Sequence, residues 1–250
     1  MTDQIVTTLK DGILQIRINR PEKKNALTQD MYAAMAAALS QADENAAVRV
    51  VTLTGTGDSF TSGNDVADFL KRDDSSSDGR PVGAFLAAIA GTKKPLIAGV
   101  NGMAIGVGVT MLLHCDLVYA AEGATFQLPF TNLGVVPEAA SSQLLPLMLG
   151  YRLAAELMLL GERIDARRAF DIGLINAVAP ASELPALVAA RAAAIAAKPA
   201  SSILATKALL RRAPEPTLAR MSLENAEFAR LLQSPEARAI MQAFLDRRRA

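Results

Sequence analysis

The stretch PLIAGVNGMAIGVGVTMLLHC at residues 95–115 decides the fold, because it has no charged residue and is long enough to cross a bilayer. It also contains four glycines, a proline, an asparagine and a histidine. Glycine at this density is typical of a strand, a loop and a helix in succession rather than of one continuous helix. Two lysines precede the stretch, and Asp116 follows it at the start of another strand-like run. We therefore expect the buried core of a globular protein and no membrane partner.

The residues around this core alternate between strand and helix patterns. Leu14, Ile16 and Ile18 recur at every second position, which is the period of a half-buried strand, and residues 5–9 are a candidate hairpin partner. Thr28 is a candidate N-cap of a helix. Further apolar strands are predicted at Val48 to Leu53, Leu96 to Val100 and Leu117 to Ala120. Strands separated by helices indicate parallel pairing, and the fold class is therefore α/β.

Beyond about Ala139 the pattern becomes mostly helical, and it ends in two closing helices that begin near Glu215 and Pro235. The polar segment at residues 72–79 is rich in serine and aspartate. It is interpreted either as a surface loop or as a lid beside a site.

Composition excludes several classes of function. The 250 residues are 51% hydrophobic and carry 26 basic against 25 acidic side chains, for a formal charge of +1. No net field therefore attracts nucleic acid, and we expect no nucleic-acid partner. One cysteine and one histidine leave no internal disulfide and too few ligands for a usual zinc site. We expect no metal and no cofactor.

The first stretch that could carry chemistry is Phe60 to Val66, where a strand edge runs into a turn containing Gly63. Such a turn points backbone N–H groups outward, where they can bind an oxyanion or a phosphate. The alternative interpretation is an ordinary Asp/Asn/Gly loop.

The second stretch is Val100 to Thr110, where a buried strand meets a glycine-rich turn and then an apolar helix through Met111 and Leu113. The N–H groups at such a helix start are unsatisfied and positively polarised. Because Met111 stands where a third glycine would be, the dinucleotide fingerprint G-x-G-x-x-G is absent. Close helix–strand packing is the alternative account of these glycines.

The third stretch contains Glu138, which follows Pro137 in an apolar neighbourhood that opens a helix. The carboxylate is a candidate general base whose pKa an apolar pocket would adjust. It could equally be a carboxylate that stabilises a helix N-terminus. His114 and Cys115 lie in an apolar run, and both are interpreted as structural.

Taken in order, these stretches resemble the enoyl-CoA hydratase/isomerase (crotonase) superfamily. The matching segments are Ile18 to Leu27, Phe60 to Phe69, Ala98 to Ala121, Leu133 to Leu145 and Gly161 to Leu174. The resemblance implies a crotonase-like spiral of ββα turns over residues 1–195. It also implies a helical C-terminal region over residues 196–250, for trimerisation or as a lid. We expect a homotrimer or a dimer of trimers.

The family holds thioester enolates with two backbone N–H groups, which by resemblance are those of Ser62 and Val107. The substrate is then an acyl-CoA thioester, whose coenzyme A is part of the substrate. By the same resemblance, eight residues line its path: Lys23, Ala26, Ser62, Gly63, Asn64, Asp65, Val66 and Gly106.

The positions at which this sequence departs from the family pattern favour one branch of the family. Hydratases of the family use two glutamates, and Thr110 and Phe130 stand at those two places. Glu138 stands where typical hydratases have glycine, and its surroundings resemble the peroxisomal-type 3,2-enoyl-CoA isomerases. The resemblance therefore implies an isomerase that shifts 3-enoyl-CoA to trans-2-enoyl-CoA with Glu138 as its single base.

Two alternatives remain open at this point. One is another CoA-thioester reaction on the same scaffold, such as hydration. The other is a non-catalytic relative that binds CoA or RNA. The last four residues, RRRA, are not a peroxisomal address, and we expect a cytoplasmic protein.

Overall fold

The computed structural model describes residues 3–65, 67, 81–213, 215–232, 234–235 and 237–241. Three sequence-based expectations fall wholly or partly outside the described residues. They are the substrate-lining role of Val66, the loop or lid at residues 72–79, and the end of the second closing helix beyond residue 241.

Ten strands form two sheets among the described residues. They are β1 (Ile5–Lys10), β2 (Ile13–Ile18), β3 (Val50–Gly55), β4 (Ser59–Thr61), β5 (Leu96–Val100), β6 (Met103–Ile105), β7 (Leu117–Ala121), β8 (Thr125–Gln127), β9 (Arg163–Asp165) and β10 (Ala177–Ala179).

The larger sheet has the order β1-β2-β3-β5-β7-β10. β1 and β2 form the antiparallel hairpin that the alternation predicts, and every later neighbour pairs in parallel. The smaller sheet has the order β4-β6-β8-β9, in which only β9 is antiparallel. The predicted α/β class is therefore confirmed, whereas the second sheet, built from three-residue strands, was not expected.

The first helix begins where the sequence predicts it. Thr28 caps the first helix by accepting a hydrogen bond from the Met31 N–H at 3.4 Å, and Met31, Met35 and Leu39 form its buried face. Within the described residues, the α-helices include Gln29–Glu44, Pro81–Gly91, Val107–Thr110, Ser141–Leu149, Tyr151–Ala155, Ala166–Asp171, Leu184–Ala196, Ala200–Leu210 and Thr217–Leu232. Short 3-10 helices lie at Pro21–Lys23, Met111–His114 and Thr131–Leu133, and a π-helical turn at Glu156–Leu160.

The uncharged stretch at residues 95–115 forms the buried core, as expected. It contains the fully buried strand β5, the short strand β6 and two helical turns. The predicted helix through Met111 and Leu113 is wrong in its form, because the α-helix ends at Thr110 and a 3-10 turn follows. Among the described residues no single helix is long and apolar enough to cross a membrane. The bent pair Leu184–Ala196 and Ala200–Leu210 meets the same test of length and composition.

The chain divides into two compact units, Met1–Ala193 and Ala194–Ala250. The first unit contains both sheets. Within the second unit, Arg220 donates hydrogen bonds to the Glu215 carboxylate at 2.6 Å and to the Leu209 carbonyl at 3.1 Å. The Leu209 contact joins the helices Ala200–Leu210 and Thr217–Leu232, and the Glu215 contact ties the second of them to the segment between the two. Its role in trimerisation or as a lid stays a prediction.

Candidate active site

The parallel pairing of β4 with β6 brings the two glycine-containing turns together. Thr61 of β4 is in register with Ala104 of β6. Neighbouring strands lie about 4.8 Å apart, and parallel strands end at the same edge of a sheet. Asn64 and Val107 each lie three residues past this register pair. They therefore follow the two strands out at the same edge of the smaller sheet.

Two glycines allow the turns to approach each other closely. A Cβ atom on Gly63 would lie 2.8 Å from the Ile105 carbonyl oxygen, and the φ angle of Gly63 is +90°. A Cβ atom on Gly108 would lie 2.6 Å from Thr61 Cγ2. Side chains at these positions would force the two backbones apart.

The structure corrects the assignment of Ser62 as an oxyanion donor. The Ser62 N–H donates to the Lys24 carbonyl at 3.0 Å, and the Gly63 N–H donates to Thr61 Oγ1 at 3.1 Å. A donor that is already paired is not available to a substrate. The predicted Ser62 role is therefore wrong for the backbone N–H.

The unpaired N–H groups at this edge of the sheet belong to other residues. The segment containing Leu27 runs beside the turn, and it bonds to the carbonyl of Gly63 and the N–H of Asp65, bypassing the N–H of Asn64. Among the described residues, neither the Asn64 N–H nor the Val107 N–H has a hydrogen-bond partner. The two N–H groups found unpaired at this edge thus belong to Asn64 and Val107. The sequence analysis places Asn64 only along the substrate path.

Gly106 supplies the turn before the second donor. Its φ angle is +58°, which favours glycine, and its own N–H donates to the Gln127 carbonyl at 2.9 Å. The α-helix that follows has only four residues. A helix of one turn adds little macrodipole, so the N–H of Val107 itself is the main source of positive potential.

Glu138 is tied to this same helical turn. The Thr110 hydroxyl donates to Glu138 Oε1, while Oε2 is buried and has no hydrogen-bond partner among the described residues. Burial raises the pKa of Glu138 above its ordinary value, and the Thr110 hydrogen bond opposes this rise by stabilising the ionised form. The result is a carboxylate with one oxygen held and the other free to take a proton.

The alternative role of Glu138, as the carboxylate of a helix start, is not what the structure shows. The helix begins at Ser141 and its N-cap is Ala140, and no side chain among the described residues caps it. The backbone of Glu138 is held instead, because the Ser141 hydroxyl and N–H both donate to its carbonyl, at 2.6 and 3.0 Å.

Tyr32 joins the site although the sequence analysis did not single it out. Its hydroxyl donates to Asn64 Oδ1 at 2.5 Å, and the residue is fully buried. Burial, and secondarily the negative charge of Glu138, raise the pKa of Tyr32 well above its ordinary value. Tyr32 therefore lies within the electrostatic reach of Glu138 and holds the side chain of the residue that carries one free N–H. Its position among apolar helix residues was the only sequence signal.

The loop that contains Lys23 and Ala26 packs beside the first turn. Arg20 donates to the Ala26 carbonyl at 3.0 Å and forms an ion pair with Asp65 at 2.7 Å. The carboxylate of Asp65 thus holds this loop in place. Lys23 ends the short helix of this loop, and the neighbouring Lys24 forms an ion pair with Asp58 at 2.8 Å.

The two positions that by resemblance correspond to the hydratase carboxylates are an alcohol and an aromatic ring. Thr110 is fully buried, and Phe130 is 8% exposed within the apolar core. In the part of the chain that the structure describes, no group of three or more His, Cys, Asp or Glu side chains could hold a metal ion. The chemistry available at the site is proton transfer by Glu138 beside two backbone donors.

Known proteins resemble this chain along its length. The family model for enoyl-CoA hydratase/isomerase matches residues 8–250. Enoyl-CoA delta isomerase 2 of Rattus norvegicus is 39% identical over 213 residues, which cover 83% of this chain and 54% of the rat protein. The chain therefore spans about half the length of that relative. Crotonyl-CoA hydratase of Syntrophomonas wolfei is 32% identical, over 99% of this chain and 97% of that protein.

Solved structures agree with the family model. The structure named as an enoyl-CoA hydratase/carnithine racemase from Magnetospirillum magneticum AMB-1 has a TM-score of 0.95 at 41% identity. The match covers 99% of this chain and 97% of that one. An enoyl-CoA hydratase/isomerase from Pseudoalteromonas atlantica T6c has a TM-score of 0.81 at 39% identity, with 98% of each chain covered. The expected crotonase-like fold is confirmed, and the chain belongs to the enoyl-CoA hydratase/isomerase family.

Proposed function

We propose that the protein acts on acyl-CoA thioesters and shifts the double bond of 3-enoyl-CoA to trans-2-enoyl-CoA. The observation that carries this proposal is the hydrogen bonding of the two carboxylate oxygens of Glu138. One of its oxygens accepts the Thr110 hydroxyl, and the other is buried without a partner among the described residues. A double-bond shift needs one base that moves one proton, and this carboxylate fits that role.

The mechanism follows from the positions of these groups. The free oxygen of Glu138 removes a proton from C2, and the electrons of that C–H bond delocalise onto the thioester oxygen as a dienolate. Glu138 then returns the proton at C4, so that a double bond forms between C2 and C3 and the C3–C4 bond becomes single. No atom is gained or lost, and the carboxylate is regenerated.

The charge that develops on the thioester oxygen needs preorganised donors. We assign this role to the N–H groups of Asn64 and Val107, which replaces the pair Ser62 and Val107 expected from the resemblance. Support comes from the register of β4 and β6 and from the absence of other partners for these two groups among the described residues. Removing one such donor typically costs about 10²–10³-fold in rate.

The name of the Syntrophomonas wolfei relative makes hydration the second candidate. Hydration must deliver a hydroxyl to C3 and a proton to C2, which the family does with two carboxylates. By resemblance those places are Thr110 and Phe130 here, and neither side chain can exchange a proton as a carboxylate does. The site therefore favours isomerisation over hydration.

A panel of coenzyme A esters tests the two functions together. We would offer the wild type 3-enoyl-CoA and trans-2-enoyl-CoA esters of matched chain length and identify the products by chromatography. Isomerisation should greatly exceed formation of 3-hydroxyacyl-CoA. Glu138→Gln should lower isomerisation by about 10²-fold or more while coenzyme A binding persists. Hydration as fast as isomerisation, or a Glu138→Gln variant within threefold of the wild type, would overturn the proposal.

We further propose assembly into a trimer or a dimer of trimers. Large apolar side chains are exposed between residues 133 and 160, an arrangement that marks interaction surfaces on soluble proteins. They are Leu133, Val135, Val136, Leu147, Met148, Tyr151, Leu159 and Leu160. Light scattering coupled to gel filtration measures the assembled mass, and a monomer would contradict this proposal.

A further inference from the structure

His114 is the single histidine of the chain, and no step of the proposed mechanism uses it. It is 8% exposed and ends the 3-10 helix Met111–His114. Its ring Nε2 lies 2.9 Å from the carbonyl oxygen of Ala139. Because a carbonyl oxygen can only accept, Nε2 must carry the proton of this hydrogen bond.

The carbonyl that His114 binds belongs to a strained turn. Ala139 and Ala140 both have φ angles of +55°, in the left-handed region, which costs about 1–2 kcal/mol per residue without glycine. Strain of this kind persists only where the surroundings hold it, and it is concentrated at functional sites. This turn directly follows Glu138, so its conformation sets the direction of the carboxylate.

Two residues of one short helical segment hold Glu138 and the turn that follows it. Thr110 contacts the side chain of Glu138, and His114, four residues later, contacts the backbone of Ala139. The groups that they contact belong to Glu138 and Ala139, which are adjacent in the chain. The segment thus holds the carboxylate at one point and the strained turn behind it at another.

We propose that His114 is a positioning residue for Glu138, because its ring holds the Ala139–Ala140 turn in the conformation that presents the carboxylate to Thr110. This inference rests on the proposed function of Glu138 as the base. The ring touches no substrate atom in this account. Its effect on rate arises wholly through the placement of Glu138.

The test compares three variants of the full chain with the wild type. His114→Leu removes the donor, His114→Gln can supply an amide N–H in its place, and Leu113→Ala is a matched control with a lost buried side chain. We expect His114→Leu to lower kcat about ten- to hundredfold with KM within threefold, since small misplacements of a reacting group carry such costs. His114→Gln should recover most of kcat. Leu113→Ala should lower stability but keep kcat within twofold.

A double-mutant cycle separates positioning from general damage. In the Glu138→Gln background, His114→Leu should lower the residual rate by less than twofold, because the group that it positions is already lost. An equal loss in both backgrounds would overturn the proposal, as would a kcat for His114→Leu within twofold of an active wild type. The second result would leave the isomerase function standing.

A stability measurement separates failure of this inference from failure of the proposed function. Ala139→Gly relieves the strain, and it should therefore reduce the destabilisation caused by His114→Leu, as measured by denaturant unfolding. If the wild type does not isomerise 3-enoyl-CoA, the proposed function fails, and this cycle alone decides whether His114 holds the turn. Additive effects of the two changes would show that it does not.

Discussion

The hydroxyl of Thr110 donates a hydrogen bond to the carboxylate of Glu138, and this contact joins the first turn of a short helix to a strained turn far along the chain. By resemblance, Thr110 stands where the family's hydratases carry a carboxylate. Its side chain supplies a donor that holds the Glu138 carboxylate.

Replacing Thr110 tests this relationship through the pH profile. The hydrogen bond lowers the pKa of Glu138 against the rise caused by burial. Thr110→Val removes the hydroxyl, so the pKa of Glu138 should rise further and the acid limb of kcat/KM should move to higher pH. Thr110→Ser keeps a hydroxyl, and its profile should stay near that of the wild type. An acid limb that is the same in all three proteins would contradict the contact's role.

Val107 offers a direct test of one backbone donor. It is the first residue of its helix, the position at which proline is best tolerated, and its N–H has no partner among the described residues. Val107→Pro removes the N–H and should lower kcat about 10²–10³-fold. Val107→Ala keeps the N–H and should stay within tenfold of the wild type. Circular dichroism and thermal unfolding show whether both variants are folded, and a folded, fully active proline variant would exclude this donor.

The burial of Glu138 also predicts how stability depends on pH. Since its pKa is raised in the folded protein, the group stabilises the fold fully only below its ordinary pKa. This contribution is lost as the pH rises through the raised folded pKa, above which a buried ionised carboxylate opposes folding. Glu138→Gln should therefore raise the melting temperature near neutral pH, and the gain should shrink toward about pH 4.

The control for this measurement is Glu162→Gln, because Glu162 is exposed. Thermal unfolding of the three proteins across the pH range gives the comparison. For a chain of this size each 1 kcal/mol changes the melting temperature by about 2–4 °C. A gain for Glu138→Gln that is equal at acid and neutral pH would contradict the assignment of the raised pKa.

Gly108 should be intolerant of even a methyl group. Its Cβ would lie 2.6 Å from Thr61 Cγ2, and Thr61 is fully buried with its hydroxyl bonded to the Asn25 carbonyl at 2.7 Å. Gly108→Ala should therefore separate the two turns, cost about 1–3 kcal/mol of unfolding free energy and lower the rate. A Cβ atom on Gly91 would meet no atom of the described residues within 4 Å, so Gly91→Ala should leave the free energy of unfolding almost unchanged. Denaturant unfolding with a paired activity assay checks both variants.

The sequence by itself determined the long elements and the candidate base. Alternation over residues 13–18 predicted the hairpin, Thr28 marked the helix start, and the glycines within residues 95–115 separated a buried core from a continuous helix. Each of these features is local, because it depends on the period or on the conformational freedom of adjacent residues. Glu138 was visible in the same way, as an acidic residue in an apolar neighbourhood.

Only the tertiary structure decided which donors are free. Strands of three residues carry no readable period, so the smaller sheet, and with it the register of Thr61 with Ala104, stayed hidden in the sequence. The N–H of Ser62 is taken by Lys24, while the neighbouring Asn64 N–H is left unpaired among the described residues. A backbone N–H is the same group in every residue except proline, and its partner comes from a distant segment. Whether it can bind a substrate is therefore a property of the fold, which the identity of the residue does not reveal.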